Sequence, residues 1–266
     1  MGVLYNSTKI TYDNISINDL GCISARIENI NTEDIYVSDR EIQQDSSGRN
    51  WGSKSKNYLY KVQRKPHEFK LELAFEILND DIAREVAKLF FQDRFLPLVA
   101  DDVFRVYFCM PTGSTINYLG NGGYLTFTMR TFDEYSYSPS TVTTVKDYSG
   151  NVSTTLQINV SGDVIIYPEI TITPNVSGSA LKITNLSNEG KFMQFETDGK
   201  GNQLIATEVI TIDCENEIVS TDQLALYRYD NLTTDSDYLE LVSGVNNIQI
   251  DGDMLLTVKY RNKYLF

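Results

Sequence analysis

Residues 69–91, FKLELAFEILNDDIAREVAKLFF, contain the change of hydrophobic period that decides the fold. Over Phe69–Ile77, apolar and charged residues alternate, which is typical of a strand with one buried face. From Ile82 onward the apolar residues recur at helical spacing, and either Asn79 or Asp80 can cap the helix. The sequence therefore predicts a strand followed by a single confident helix near residues 80–92.

The rest of the chain has the composition and spacing of β-structure. Short runs such as Val103–Met110 and Tyr124–Phe132 are rich in β-branched and aromatic residues, and residues 111–123, PTGSTINYLGNGG, are expected to connect them. Beyond residue 150, about eight strand-like runs follow at a spacing of roughly 8–12 residues, as in an antiparallel sandwich or barrel. We therefore predict an all-β fold with one short helix and two β-sandwich domains.

A change of composition and charge marks the division between the domains. Residues 133–151, DEYSYSPSTVTTVKDYSGN, are poor in aliphatic side chains. Residues 1–132 carry 15 Lys and Arg against 17 Asp and Glu, whereas residues 133–266 carry 8 against 19. Such asymmetry indicates two units with different surroundings. We predict an N-terminal domain over 1–135, a linker over 136–150 and a C-terminal domain over 151–266.

Few residues have the spacing that catalysis or metal binding requires. The only histidine is His67, which excludes histidine-rich zinc sites, and its place between Pro66 and an alternating strand favours a surface or strand-edge side chain over the base of a Ser-His-Asp triad. An EF-hand with its glycine at Gly252 would need a carboxylate at residue 258, where Val258 stands. Residues 243–253 are instead expected to form a corner, with residues 254–260 returning as the partner strand. We predict no catalytic residue, no metal and no cofactor.

Other motifs and signals are also weak. Gly120-Asn121-Gly122-Gly123 lies between strands, so it does not fit a dinucleotide-binding turn. Asp101-Asp102 could serve as a carboxylate pair for glycoside hydrolysis, but adjacent acids arise by chance among 36 acidic residues. The N-terminus is not expected to be a signal peptide, and no apolar run approaches the length of a membrane span. The three cysteines are expected to be buried and reduced.

A polar, basic segment stands out within the first domain. Residues 43–57, QQDSSGRNWGSKSKN, contain the only tryptophan, Trp51, and residues 46–67 carry six Lys and Arg and no acid. One interpretation is a solvated loop that leads into a basic strand. The other is an arm that docks on an acidic surface through Arg49, Trp51, Lys54 and Lys56. Both interpretations remain open at this stage.

The order of these features resembles the distal tail proteins of siphophages, the Siphovirus-type tail component family. The matching segments are the strand–helix passage at 69–91, ADDVFRVYFCM at 100–110, GGYLTFTMRTFDEYSYS at 122–138, LKITNLSNEGKFMQFETDG at 181–199 and the last 26 residues from LVSGVNN onward. The resemblance covers nearly the whole chain in pattern and order.

The resemblance implies an architectural role. Members of this family form a homo-hexameric ring at the tail tip, through which DNA passes without specific recognition. The ring joins the tail tube protein to a tail-associated lysin or fibre hub protein, and in some phages it holds receptor-binding proteins. The family's N-terminal domain carries an arm that contacts neighbouring subunits, and its C-terminal domain is galectin-like, or similar to a carbohydrate-binding module. The implied location is the virion tail tip, after synthesis in the host cytoplasm and without a membrane anchor.

Two other classes of function stay open. A carbohydrate-binding accessory module for host-surface attachment would be supported by clusters of solvent-facing aromatic side chains in a groove. A glycosidase would need two carboxylates about 5–10 Å apart in a cleft. A galectin-like fold does not by itself confer sugar binding, so the sequence favours a structural C-terminal domain.

Overall fold

The computed structural model describes residues 3–29, 40–45, 58–100, 105–150, 153–198, 201–224 and 226–265. The chain divides into two compact units, one formed by residues 1–139 with 265–266 and the other by residues 140–264. Each unit has its own cluster of buried apolar side chains. The two units are therefore described separately.

The predicted helix is present as α1 (Asp80–Phe90), and it follows a strand (Glu68–Phe75) whose side chains alternate between buried and exposed. Asn79 is the cap, because its side-chain oxygen accepts a hydrogen bond from the amide of Ile82 at 2.9 Å. Asp80 and Asp81 occupy the first turn and Lys88 the last, which suits the helix dipole. The strand–helix prediction is confirmed.

The first unit contains a large antiparallel sheet, a separate two-stranded sheet and the helix α1. Its strands are β1 (Val3–Ser7), β2 (Ile10–Tyr12), β3 (Ile15–Ser16), β4 (Cys22–Asn29), β5 (Arg40–Asp45), β6 (Tyr58–Arg64), β7 (Glu68–Phe75), β8 (Leu96–Ala100), β9 (Val106–Leu119), β10 (Gly122–Thr131) and β11 (Tyr135–Tyr137). The order of neighbours is β1-β4-β7-β10-β9-β8-β2-β3, with β11 beside β9. Strands β5 and β6 pair with each other as a separate two-stranded sheet.

An aromatic stack lies at the centre of this unit. The ring of Phe90, on the last turn of α1, lies between Tyr12 and Phe127, with ring centroids 4.4 and 4.3 Å away and nearly parallel planes. All three rings are buried, and the Tyr12 hydroxyl donates to the carbonyl of Cys109 at 3.0 Å. The stack therefore joins the helix to both β2 and β10.

The prediction that residues 111–123 form a connection between strands is wrong. Residues 111–119 continue β9, and only Gly120 and Asn121 turn the chain into β10. The β9–β10 register shifts by one residue where Thr128 lies opposite Gly113 and Met129 opposite Pro111, so Pro111 lies at a bulge that accommodates its missing amide proton. The β-branched and aromatic residues of this segment, which favour a strand, outweigh its Gly and Asn content.

The second unit is a sandwich of two antiparallel sheets. Its strands are β12 (Val142–Tyr148), β13 (Thr154–Val160), β14 (Glu169–Pro174), β15 (Leu181–Asn185), β16 (Lys191–Phe195), β17 (Ile210–Asp213), β18 (Ile218–Thr221), β19 (Gly244–Asp251) and β20 (Met254–Tyr260), and a short β21 (Lys263–Leu265) ends the described chain. One sheet has the order β12-β20-β14-β17-β18 and the other β13-β19-β15-β16. Within the described residues the only other helical segments are two 3-10 turns, Ile17–Leu20 and Arg228–Asn231. The prediction of an all-β fold with one α-helix is confirmed.

The segment expected to be a linker, 136–150, is structured instead. Tyr135–Tyr137 is β11 of the first unit, and Val142–Tyr148 is β12, an edge strand that pairs with β20 along its whole length. The lack of aliphatic residues that indicated a linker has a different cause. An edge strand with one exposed face needs few of them, and Thr and Tyr suit it.

The corner at residues 251–253 is also different from the expectation. Strands β19 and β20 do not pair with each other, because β19 lies between β13 and β15 and β20 between β12 and β14. Asp251–Asp253 thus crosses from one sheet of the sandwich to the other. Gly252 has a positive φ of 121°, and a Cβ there would come within 2.7 Å of the Leu181 side chain, so this position favours glycine.

Candidate interaction surfaces

The described residues offer no sign of metal or thiol chemistry. They contain no group of three or more His, Cys, Asp and Glu placed to hold a metal ion. Cys22, Cys109 and Cys214 are buried and form no disulfide, and burial raises the pKa of the Cys22 thiol to about 11. His67 lies just before β7 and is hydrogen-bonded through its backbone to Thr131. No described helix has the length and apolar character needed to cross a membrane.

The predicted arm residues belong to a segment outside the described residues, between two strands that pair with each other. Strand β5 pairs antiparallel with β6 from Arg40 opposite Arg64 to Asp45 opposite Tyr58, so residues 46–57 connect the two strands. That connection contains Arg49, Trp51, Lys54 and Lys56 and lies outside the described residues. The carboxylate pair Asp101-Asp102 also lies outside the described residues. The role of the four arm residues stays a prediction.

The outer half of β9 is a surface that the sequence did not reveal. From Val106 to Cys109, β9 pairs with β8 on one side, and on the other side it pairs with β11 at Val106 and with β10 from Cys109 onward. From Met110 to Leu119 no described strand pairs with β9 on the side opposite β10, so this length is an open sheet edge. Its residues 111–119 carry no charge, although charged side chains are a common means of protecting an edge from pairing with another chain.

Apolar side chains are exposed along this edge. Ile116 is 39% exposed and Leu119 64%. Tyr118 is held in place because its hydroxyl donates to Asp80 at 2.7 Å, a hydrogen bond that raises the pKa of the tyrosine. The edge is therefore extended, uncharged and partly apolar, which is the chemistry that favours pairing with another strand.

The same sheet has a second open edge at β1. The strand pairings connect Ser7 of β1 to Ile116 of β9 across five strands, through Ala25, Leu73 and Leu125. The strand β1 and the outer half of β9 therefore lie at the same height on the two sides of the sheet. Every neighbouring pair is antiparallel, so β1 and β9 run in the same direction. Four strand spacings separate them, about 19 Å. Among the described strands, β1 pairs only with β4.

The second unit contains a polar cleft beside the edge strand β16. The cleft has a volume of about 370 Å³, and its walls come from residues 194–198 and 230–235. The second segment runs along β16, with the amide of Thr233 donating to the carbonyl of Gln194 at 3.0 Å and the amide of Glu196 to that of Asn231 at 2.9 Å. Most of the lining side chains are carboxylates, amides and hydroxyls.

A buried ion pair supports the cleft from below. Arg228 and Glu208 have side chains that are 1% and 0% exposed. The guanidinium donates to both carboxylate oxygens, from Nε at 2.6 Å and from Nη2 at 2.7 Å. Thr221 and the amide of Ile205 also donate to this carboxylate, at 2.5 and 3.1 Å. Burial alone would raise the pKa of Glu208, but these hydrogen bonds and the charge of Arg228 hold it below its usual value.

The ion pair fixes the residue that forms the floor of the cleft. Arg228 donates from Nη1 to the side-chain oxygen of Asn231 at 3.1 Å, and Asn231 donates to the carbonyls of Glu196 and Asn202 at 2.7 and 2.9 Å. Asp198 in turn accepts from the amide and the side chain of Asn202. Three loops are thereby joined through buried hydrogen bonds, which favours a preformed cleft.

Comparisons with known proteins agree with this architecture. Residues 161–264 match the family model of the Siphovirus-type tail component, C-terminal domain. The chain is 25% identical over 267 residues to the SPbeta prophage-derived uncharacterized protein YomH of Bacillus subtilis (strain 168), with 99% of this chain and 100% of that protein covered.

A solved structure shares the fold over the whole length. The crystal structure of SPP1 Dit, described as a paradigm of the hub adsorption apparatus in phages that infect Gram-positive bacteria, matches with a TM-score of 0.63. The identity is 16%, and the match covers 98% of this chain and 100% of that one. At this identity the match establishes a common fold.

Fold and family together define the class as a structural component of a phage tail or baseplate. The family resemblance seen in the sequence is confirmed: residues 161–264 match the Siphovirus-type tail component C-terminal domain, and the whole chain shares the fold of SPP1 Dit. Its place is the tail of the virion.

Proposed function

We propose that the chain forms a hexameric ring at the tail tip, built by its first unit. The observation that carries this proposal is the pair of open edges on one sheet, β1 on one side and the outer half of β9 on the other. Different surfaces on opposite sides of a subunit make a head-to-tail contact, which closes into a ring when the rotation between copies permits it. The number six comes from the family resemblance.

The charge distribution supports the same arrangement. With 15 basic and 17 acidic residues, the segment 1–132 is close to neutral, so several copies can pack side by side with little repulsion.

The ring would connect the tail tube protein to a tail-associated lysin or fibre hub protein and could hold receptor-binding proteins. DNA would pass through it without specific contacts. The hairpin β5–β6 supports a further element of the proposal, because a two-stranded sheet without a third strand is marginally stable in water. We propose that the arm near 43–57, with Arg49, Trp51, Lys54 and Lys56, contacts a neighbouring subunit or tail protein.

A charge placed on the open edge tests the assembly. We expect Ile116→Lys to prevent ring formation while the subunit still folds, because a lysine on an edge strand opposes pairing with another chain. Native mass spectrometry of concentrated protein should show hexamers, or smaller assemblies with the same contacts, of the 30.2 kDa chain and only monomers for the variant.

The matched control is Thr155→Lys, which places the same charge on the exposed edge strand β13 of the second unit. This variant should assemble like the natural chain. A strictly monomeric natural protein that also fails to bind tail proteins, or equal loss of assembly in both variants, would contradict the proposed ring edge.

The two other functions are tested separately. A carbohydrate-binding accessory module would bind sugars in a glycan-array screen, and it would not exclude a ring. The relatives are structural proteins of phage tails, and we propose that this chain is likewise not an enzyme. Release of soluble fragments in a cell-wall digestion assay would contradict that.

A further inference from the structure

We propose that copies of the chain join by parallel strand pairing, with the outer half of β9 in one copy beside β1 of the next. The inference rests on the proposed ring and deepens it, because it fixes which backbone segments meet and in which direction. The large sheet then continues from copy to copy and closes on itself, so that neither of its two open edges is left unpaired. The occupant of each edge is a second copy of this chain.

The strand pairings place part of β1 at the height of part of β9. The correspondence is followed from β1 through β4, β7 and β10, one neighbour at a time. The residues that share a height are Tyr5 and Ser114, Asn6 and Thr115, and Ser7 and Ile116. Residue numbers increase together in the two strands, so β1 and β9 run in the same direction on opposite sides of the sheet.

The direction of the pairing follows from the symmetry of a ring. Rotation about the axis of a ring leaves a strand pointing to the same side of the ring in every copy. Since β1 and β9 run in the same direction within one copy, β1 of the next copy runs parallel to β9 of the first. A two-fold dimer through β9 alone would instead pair that strand antiparallel with itself, and it would leave β1 open.

Both strands have the chemistry that permits such pairing. Val3–Ser7 and residues 111–119 contain no Asp, Glu, Lys or Arg, the residues that commonly protect an edge. Main-chain hydrogen bonds supply the affinity when a strand is added to an edge. The hydroxyl of Tyr118 donates to Asp80 on the first turn of α1, which ties β9 to the helix. A strand that is already held in place has less freedom to lose on binding.

Disulfide formation between neighbouring copies tests the pairing. One batch of the chain carries Ser7→Cys or Tyr5→Cys, and the other carries a single cysteine placed in turn along residues 111–119. The three natural cysteines are buried. The batches are mixed, assembled and mildly oxidised, and a denaturing gel without reductant should show a product at twice the 30.2 kDa chain mass. A disulfide needs Cα atoms about 4.4–6.8 Å apart, so this product reports strands that lie side by side.

The order of the partners along β9 reports the direction of the pairing. In parallel pairing, the cysteine that reacts best with Ser7→Cys lies nearer to Leu119 than the cysteine that reacts best with Tyr5→Cys. In antiparallel pairing this order is reversed. The order holds whatever the exact register, which depends on the tilt of the strands in the closed sheet.

The matched control is Thr155→Cys, on the exposed edge strand β13 of the second unit. Mixed with Ser7→Cys, it should give no product at twice the chain mass. Equal product from this control would mean that the disulfides form by random collision, and the pairing would be rejected.

Native mass spectrometry of the natural chain separates this inference from the ring itself. Hexamers together with no disulfide between β1 and β9, or with partners in the reversed order, would overturn the pairing and leave the ring standing. A natural chain that stays monomeric would overturn both.

Discussion

The first unit has an aromatic stack at its centre, whereas the second unit buries a carboxylate and a guanidinium. In the first, Tyr12, Phe90 and Phe127 tie the helix to the sheet, and the outer strands are left open at the edges. In the second, Glu208 and Arg228 hold loops together at one end of a sandwich. Among the described strands, the first unit thus leaves backbone groups at its sheet edges available for pairing, whereas the second unit holds its loops through buried side chains.

Removing the central ring of the stack should have the largest effect. We expect Phe90→Ala to lower the free energy of unfolding of the first unit by about 3–5 kcal/mol, because the cavity removes packing on both faces of the ring. Differential scanning calorimetry should show one transition moving and the other staying in place. The control is Phe91→Ala, whose ring is 51% exposed. If both transitions moved together, the two units would share a single cooperative core.

Breaking the buried ion pair should destabilise the second unit by as much as Phe90→Ala destabilises the first, or slightly less. We expect Arg228→Ala to lower its free energy of unfolding by about 3–5 kcal/mol, since the Glu208 carboxylate would be left buried without its partner. Chemical unfolding followed by circular dichroism measures this loss. The exposed pair between Lys259 and Glu169 is the control, and Lys259→Ala should cost no more than about 1 kcal/mol. Equal small losses would mean that water reaches the Glu208 site.

Low pH should lower the stability of the second unit more than that of the first, by less than either substitution above. The pKa of Glu208 is lowered in the folded chain from its ordinary 4.5, so its contribution is complete above that value. As the pH falls below 4.5 and through the folded pKa, the carboxylate takes up a proton and this contribution is lost. Calorimetry between pH 7 and pH 3 should show that the unfolding temperature of the second unit falls more steeply in the natural chain than in the Glu208→Gln variant. Parallel curves would rule out this carboxylate as the cause.

Much of the fold follows from local pattern. Alternation over Phe69–Phe75 and the helical spacing after Asn79 are properties of consecutive residues, so both elements were predicted with their order. The confusion at 111–119 arose because Gly and Asn indicate turns locally, although β10 pairs with this segment residue by residue. The segment 136–150, expected to be a linker, contains β11 residues and β12, and the division between the units falls within it at 139–140; its strands were missed because an edge strand has a weak apolar pattern.

The surfaces could not be predicted in the same way. The cleft joins residues 194–198 to 230–235, and its floor depends on Arg228 meeting Glu208 twenty residues away. No spacing in the sequence marks these residues as neighbours. The open edge of β9 likewise arises because no described strand lies beside it. A sequence pattern indicates the two faces of a strand but does not indicate its neighbours.

The sequence by itself determined the strand–helix passage, the β-rich character, the charge difference between the halves and the family resemblance, because each depends on local order or composition. Only the tertiary structure decided that β19 and β20 belong to opposite sheets, that β9 presents an open edge, and that a buried ion pair lies beneath a polar cleft. Those features arise from contacts between segments far apart in the chain, where the cost of closing the loops is repaid only once the whole core has formed.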